Sequence, residues 1–166
     1  MHTLLAFSNW LHATKLSWAV THYPWIWPAS ETLHFIGLAM MVGAIGLLDL
    51  RMLGVAKQLP IGPLHSLVPW GIAGFGINAV TGFLFFAGDP FQYINNIAFL
   101  CKMIFIALAG LNILAFYGAG VYRSISTLGP GADAPFSAKV IAGSSLFLWA
   151  GVMYWGRMLP FIGTAF

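Results

Sequence analysis

Seventeen uncharged residues separate Glu31 from Asp49 in the run ETLHFIGLAMMVGAIGLLDLR, which extends to Arg51. At 1.5 Å per residue the interval is about 27 Å of helix, close to the roughly 30 Å of a hydrocarbon core. Charges at both ends and none between predict a membrane span. His34 lies about one turn inside the Glu31 level, at a depth where an ionisable side chain is treated first as a functional group.

The other charges divide the chain into three further spans. Thirty-one uncharged residues lie between Lys57 and Asp89, twenty between Lys102 and Arg123, and seventeen between Lys139 and Arg157. Each interval holds one crossing helix and none holds two, giving spans near 30–53, 66–88, 95–120 and 136–159. Pro60, Gly62 and Pro63, then Gly88 and Pro90, then Gly129, Pro130, Gly131 and Pro135 mark the connections. Composition agrees: 60% of residues are hydrophobic and 7% charged, where a soluble domain carries about 25% charged residues.

The net charge of +3 comes from seven basic residues scattered singly, with no patch for nucleic acid. It speaks to topology instead. Arg51, Lys57, Arg123 and Lys139 flank the first and third connections, so those face the cytoplasm and both termini are expected in the periplasm of a bacterial inner membrane. The start of the chain lacks a basic n-region, and Asn9, His12 and Lys15 interrupt any apolar h-region, so no cleaved signal is expected.

Residues 1–28 read as an interfacial helix and turn, residues 29–166 as the bundle. Leu4, Phe7, Leu11 and Trp18 form an apolar stripe, with Ser8, His12 and Lys15 on another face. Pro24 and Pro28 are expected to end that helix and turn the chain into the bilayer, with Trp25 and Trp27 at headgroup depth. The predicted fold is thus an all-α membrane protein, a four-helix transmembrane bundle with an N-terminal amphipathic helix. Small residues on every span, such as Gly37, Gly43, Gly71, Gly74, Ala107, Gly110 and Gly143, allow close helix approach. Asn78 and Asn112 fall near mid-membrane, where an amide in hydrocarbon needs a partner, so both are expected to face inward as polar glue.

The pieces ETLHFIGLAMMVGAIGLLDLRMLG, VPWGIAGFGINAVTGFLFFAG, AFLCKMIFIALAGLNILAFY and SLFLWAGVMYWGRMLPFIG carry the patterns ETxH, DLRxLG, PWxxAGF, a lysine in the third helix and a terminal GR. In these the chain resembles a bacterial family of small four-helix inner-membrane proteins of unestablished function. The resemblance implies the architecture and no activity. Members often carry histidine where this chain has Tyr117. The layout is more distantly similar to four-helix b-type cytochromes and to copper-resistance membrane proteins.

Glu31, Lys102 and Arg157 each mark the outer boundary of a span, which places them in one layer with His34 a turn below and His12 and His22 arriving from the interfacial segment. Two of these histidines suit the axial positions of haem b, with Lys102 and Arg157 facing its propionates. The three histidines equally suit copper or zinc. An ordinary ion network explains the same layer without any cofactor. At the inner face Asp49, Arg51, His65 and Arg123 form a second cluster, in which Asp49 pairs more plausibly with Arg123 or His65 than with Arg51, two residues away on the same helix. The third and fourth spans contain no histidine, which argues against a second haem, and Met103, Met153 and Met158 read as packing. Cys101 is alone, so no intrachain disulfide or cysteine cluster forms.

No glycine-rich phosphate loop, HExxH or CxxC occurs, and no serine shares a layer with histidine and an acid, so a self-contained enzyme is not expected. Two readings stay open. One is a haem-b electron-transfer subunit acting between quinone and a periplasmic partner. The other is a non-catalytic anchor or structural subunit held among lipids, other membrane or periplasmic subunits, or copies of itself.

Overall fold

The computed structural model describes residues 2–162, with side chains from Leu5 onward. Every described element is helical. Two short helices, α1 (His2–His12) and α2 (Lys15–His22), precede α3 (Ile26–Leu53). The rest are α4 (Ile61–His65), α5 (Val68–Gly88), α6 (Pro90–Ile94), α7 (Ile97–Gly118), α8 (Val121–Ile125) and α9 (Phe136–Met158). Four of them, α3, α5 (continuous in hydropathy with α4), α7 and α9, are long and apolar enough to cross a membrane. The chain is an integral membrane protein with the expected all-α, four-helix architecture.

The N-terminal segment departs from the single helix expected. Thr14 breaks it: its side chain accepts from the Ser17 amide at 3.3 Å, capping α2, and donates to the Leu11 carbonyl at 2.6 Å. Leu11 is buried while Phe7 and Trp18 are exposed; the side chain of Leu4 lies outside the described residues. Ser8, expected on the polar face, is fully buried. Pro28 does not end the preceding helix but sits in the first turn of α3, where a missing N–H breaks no helical bond.

The spans pair as hairpins. α3 packs along α5 and α7 along α9; α3 against α9 joins the two pairs, and α5 and α7 share no extended contact. Close approach of α3 and α5 comes from Gly37 and Gly74. A Cβ on Gly74 would stand 2.5 Å from the Gly37 carbonyl and 2.9 Å from the Met41 amide, both backbone atoms that cannot move aside. Backbone proximity of this kind substitutes for the hydrophobic drive, which is weak between helices surrounded by lipid tails. Asn112 fastens the second hairpin, as its Nδ2 donates to Ile141 O at 3.1 Å and its Oδ1 accepts from Ser144 at 2.9 Å. Asn78 instead bonds within its own helix, to Gly74 O at 3.0 Å, and its Oδ1 is buried without a partner.

Met41, Ala109, Leu148, Trp149 and Val152 fill the mid-membrane core. The bundle end where α3 begins and α9 finishes is labelled outer and the opposite end inner, after the expected topology; at the inner end a larger cluster joins Leu48 and Met52 to Ile61, Leu64, Phe116, Ile125 and Ala138. The side of α7 away from α9, including Leu100, Ile104, Leu111 and Leu114, is exposed apolar surface and faces lipid.

Gly74→Ala is expected to destabilise the protein by about 2 kcal/mol through overpacking at the crossing. Gly110→Ala, where a Cβ meets nothing within 4 Å, should stay within about 0.5 kcal/mol. Thermal unfolding of the two variants in detergent checks the contrast, and equal midpoints would remove the crossing from its proposed place.

Candidate functional site

Four helices bring polar or missing side chains to the outer half of the bundle. His34, two turns into α3, is half-buried, and its Nδ1 lies 2.7 Å from Oγ1 of Thr81 on α5, a residue only 2% exposed. Phe85 flanks the imidazole at 5.6 Å between ring centres. Gly82 adds no side chain over it: a Cβ there would stand 3.9 Å from His34 Cε1. Lys102 lies half-buried on α7. Its chain lies over Gly156 of α9, where a Cβ would be 3.5 Å from Nζ. A Cβ at Gly156 would therefore meet the lysine chain only in ordinary van der Waals contact.

An aromatic group lies about one turn outward. Phe86 of α5 stacks on Phe99 of α7 at 5.9 Å, and Tyr93 of α6 meets Phe99 edge-on at 5.4 Å. Burial, with the negative charges of Asp89 and Glu31 nearby, pushes the Tyr93 phenol up to about 12, so it remains neutral at physiological pH. Asn96 closes the same end, donating from Nδ2 to Leu159 O at 2.9 Å and accepting from the Ala98 amide.

The remaining residues expected in this layer do not join it. Glu31 is exposed and accepts from the Trp27 indole at 3.3 Å; among the described residues no ion pair links it to Lys102 or Arg157. Arg157 is exposed, with its guanidinium 5.2 Å from the Phe161 ring centre. His22 stacks on Trp18 at 4.4 Å and its Nδ1 donates to Trp18 O at 3.0 Å. His12 lies beside Phe91 of α6, ring centres 6.1 Å apart. Among the described residues no three His, Cys, Asp or Glu side chains gather as a metal-holding group. The described contacts thus hold His34 against Thr81 and Phe85, and His12 and His22 against Phe91 and Trp18.

At the inner end Arg51 is fully buried and works as a clasp between two loops. Its Nε donates to Leu59 O at 2.6 Å, and one Nη donates to Ala132 O at 3.1 Å and Gly129 O at 3.3 Å. Gly131 N donates to Lys57 O at 2.8 Å across the same seam. Asp133 takes Lys57 at 3.1 Å and Lys139 at 2.7 Å. Asp49 pairs with neither Arg123 nor His65, contrary to expectation: it is buried, and its Oδ2 lacks a partner among the described residues. Arg123 is exposed, and His65 is held by Tyr117 at 3.0 Å while stacking on Tyr122 at 4.2 Å.

Thr81, Gly82 and Gly156 escaped the sequence reading. The available signal was Thr81 itself, a hydroxyl in an apolar span three residues after Asn78, hence on the same helix face. No protein-family model, curated protein or solved structure matches the chain, so the chemistry of the site rests on its own geometry.

The two lysines, mainly through their hydrogen bonds, pull the Asp133 carboxyl down to about 2, below the ordinary value of about 3.9. A folded-state pKa below the unfolded one stabilises at pH above about 4, and that contribution fades as pH falls toward about 2. An NMR titration of the Asp133 carboxyl should show its midpoint near 2, and Asp133→Asn should remove this part of the acid dependence. An ordinary carboxylate midpoint would show that the double bridge does not persist in solution.

Proposed function

We propose that this membrane protein is an electron-transfer subunit whose outer-half site holds one b-type haem through His34. The observation that carries the reading is the posture of His34. One ring nitrogen is tied to Thr81, and Nε2 has no hydrogen-bond partner among the described residues, as in ligating histidines fixed by a supporting residue. Lys102, which makes no ion pair among the described residues, would face a propionate. When bound, haem supplies a one-electron couple, while the chain's own residues orient the nitrogen, balance the acidic edge and keep the layer dry under Phe86, Phe99 and Tyr93.

His12 and His22 as placed supply no second axial nitrogen. That separation favours the other reading, a non-catalytic anchor in which the polar residues only fasten helices and the exposed apolar face of α7 meets lipid, a partner subunit or a second copy. Oxidised and dithionite-reduced visible spectra of haem-supplemented protein distinguish the two. Under the electron-transfer reading a Soret band is present in wild type, lost in His34→Ala and kept in His12→Ala and His22→Ala. A colourless wild type overturns that reading and leaves the anchor.

Both readings take the bilayer to be a bacterial inner membrane with both termini in the periplasm, supported by the basic residues around the Lys57 and Lys139 loops and by the family resemblance. Reporter fusions at Pro60 and Pro130 should register cytoplasm. A periplasmic signal at either reverses the orientation.

A further inference from the structure

Thr81 has one hydroxyl proton to give, and two backbone carbonyls of its own helix compete for it with His34 Nδ1. Its Oγ1 lies 2.8 Å from Ile77 O and 3.3 Å from Asn78 O, both acceptors in the preceding turn of its own helix. The same oxygen stands 2.7 Å from His34 Nδ1. When the hydroxyl proton goes to a carbonyl, Oγ1 meets the imidazole with a lone pair, and Nδ1 must then carry the proton for the short contact to be a hydrogen bond. A neutral imidazole has one N–H, so Nε2 is then bare.

We propose that Thr81 is a positioning residue that fixes His34 as the Nδ1–H tautomer and thereby makes Nε2 the nitrogen presented to a ligand. The helix itself supplies the restraint. With Nδ1–H both bonds form, imidazole to hydroxyl and hydroxyl to carbonyl; the opposite tautomer keeps only one of them, because the hydroxyl must either leave its carbonyl for Nδ1 or face it lone pair to lone pair at 2.7 Å. Gly82 keeps the Cε1 side of the ring free of a side chain. The tautomer follows from these bonds alone, whereas its value as ligand positioning rests on the electron-transfer reading.

Protein labelled with 15N-histidine tests the assignment in detergent or nanodiscs without added haem, because the ring 15N shifts separate the two tautomers and His34→Gln identifies the His34 signals. Wild type should show Nδ1–H. Thr81→Ser, which keeps the hydroxyl, should match it, and Thr81→Val should give a mixture or the Nε2–H form. An Nε2–H tautomer in wild type overturns the proposal even if the valine variant fails to fold, and so does an unchanged tautomer in Thr81→Val. Haemin titration adds a second readout: Thr81→Val should bind about 10–100-fold more weakly and Thr81→Ser within about threefold of wild type. A wild type that keeps Nδ1–H and takes up no haemin removes the haem reading and leaves the role of Thr81 standing.

Discussion

The outer site depends on how closely α3 and α5 cross at Gly37 and Gly74. With the Gly37 carbonyl 2.5 Å from where a Gly74 Cβ would be, the two backbones are in contact, and the side chains on either side of the crossing are brought within bonding reach. His34 is one turn outward of Gly37, and helical side chains lean toward their own N-terminus, which in α3 is the outer end. The imidazole therefore reaches outward along α5 to Thr81. A crossing spread by one methyl group would lengthen the 2.7 Å bond that orients the ring, so small residues in the packing are also a condition of the site.

The two ends of the bundle are held by different chemistry. Inside, Arg51 spreads a planar guanidinium across three carbonyls from two loops, a task to which a single ammonium is poorly matched. Hydrogen bonds to a charged donor contribute about 1.5–3 kcal/mol each, enough to offset much of the desolvation of a fully buried cation. The Lys57–Asp133–Lys139 bridge adds a more exposed, weaker tie on the same seam. Outside, the hairpins meet through aromatic contacts such as Phe86 on Phe99, while the bond from Asn96 to Leu159 ties α7 to α9 within one hairpin. The inner end is thus the fixed base from which α3 and α9 rise, and a ligand entering between α5 and α7 at the outer end would disturb fewer polar ties.

Charge spacing made the four spans legible because hydrocarbon imposes one length on every crossing, and the structure keeps those spans within a few residues. The start of α3 was misplaced because proline was taken as a stop, whereas at Pro28 it occupies a first-turn position where the backbone donor is dispensable. Depth along each helix placed His34 and Lys102 in one region, but depth says nothing about azimuth. Glu31 and Arg157 share that level and lie on exposed sides, so the layer inferred from arithmetic contains fewer members in three dimensions. Asp49 illustrates the same gap: Arg123 and His65 share its level, yet Arg123 is exposed, His65 is held by Tyr117, and Asp49 Oδ2 is left without a described partner.

Helix fastening accounts for polar groups whose partners lie on the same chain. Arg51, Asn96, Asn112 and Asp133 fit that description. Asp49 Oδ2, Asn78 Oδ1, Ser8 Oγ and the second Nη of Arg51 are unpartnered but sealed, so no ligand reaches them without the helices moving apart. His34 and Lys102 differ from both groups. Each is half-buried, each keeps an atom without a described partner, and they approach from helices of different hairpins. A cation inside a span costs about 2.5–3.5 kcal/mol at the bilayer centre and less toward the boundary. Fastening gives Lys102 no partner to offset even the smaller figure. Under the electron-transfer reading a bound haem would use both loose ends, His34 at the iron and Lys102 at the acidic edge, whereas the anchor reading leaves both unpaired.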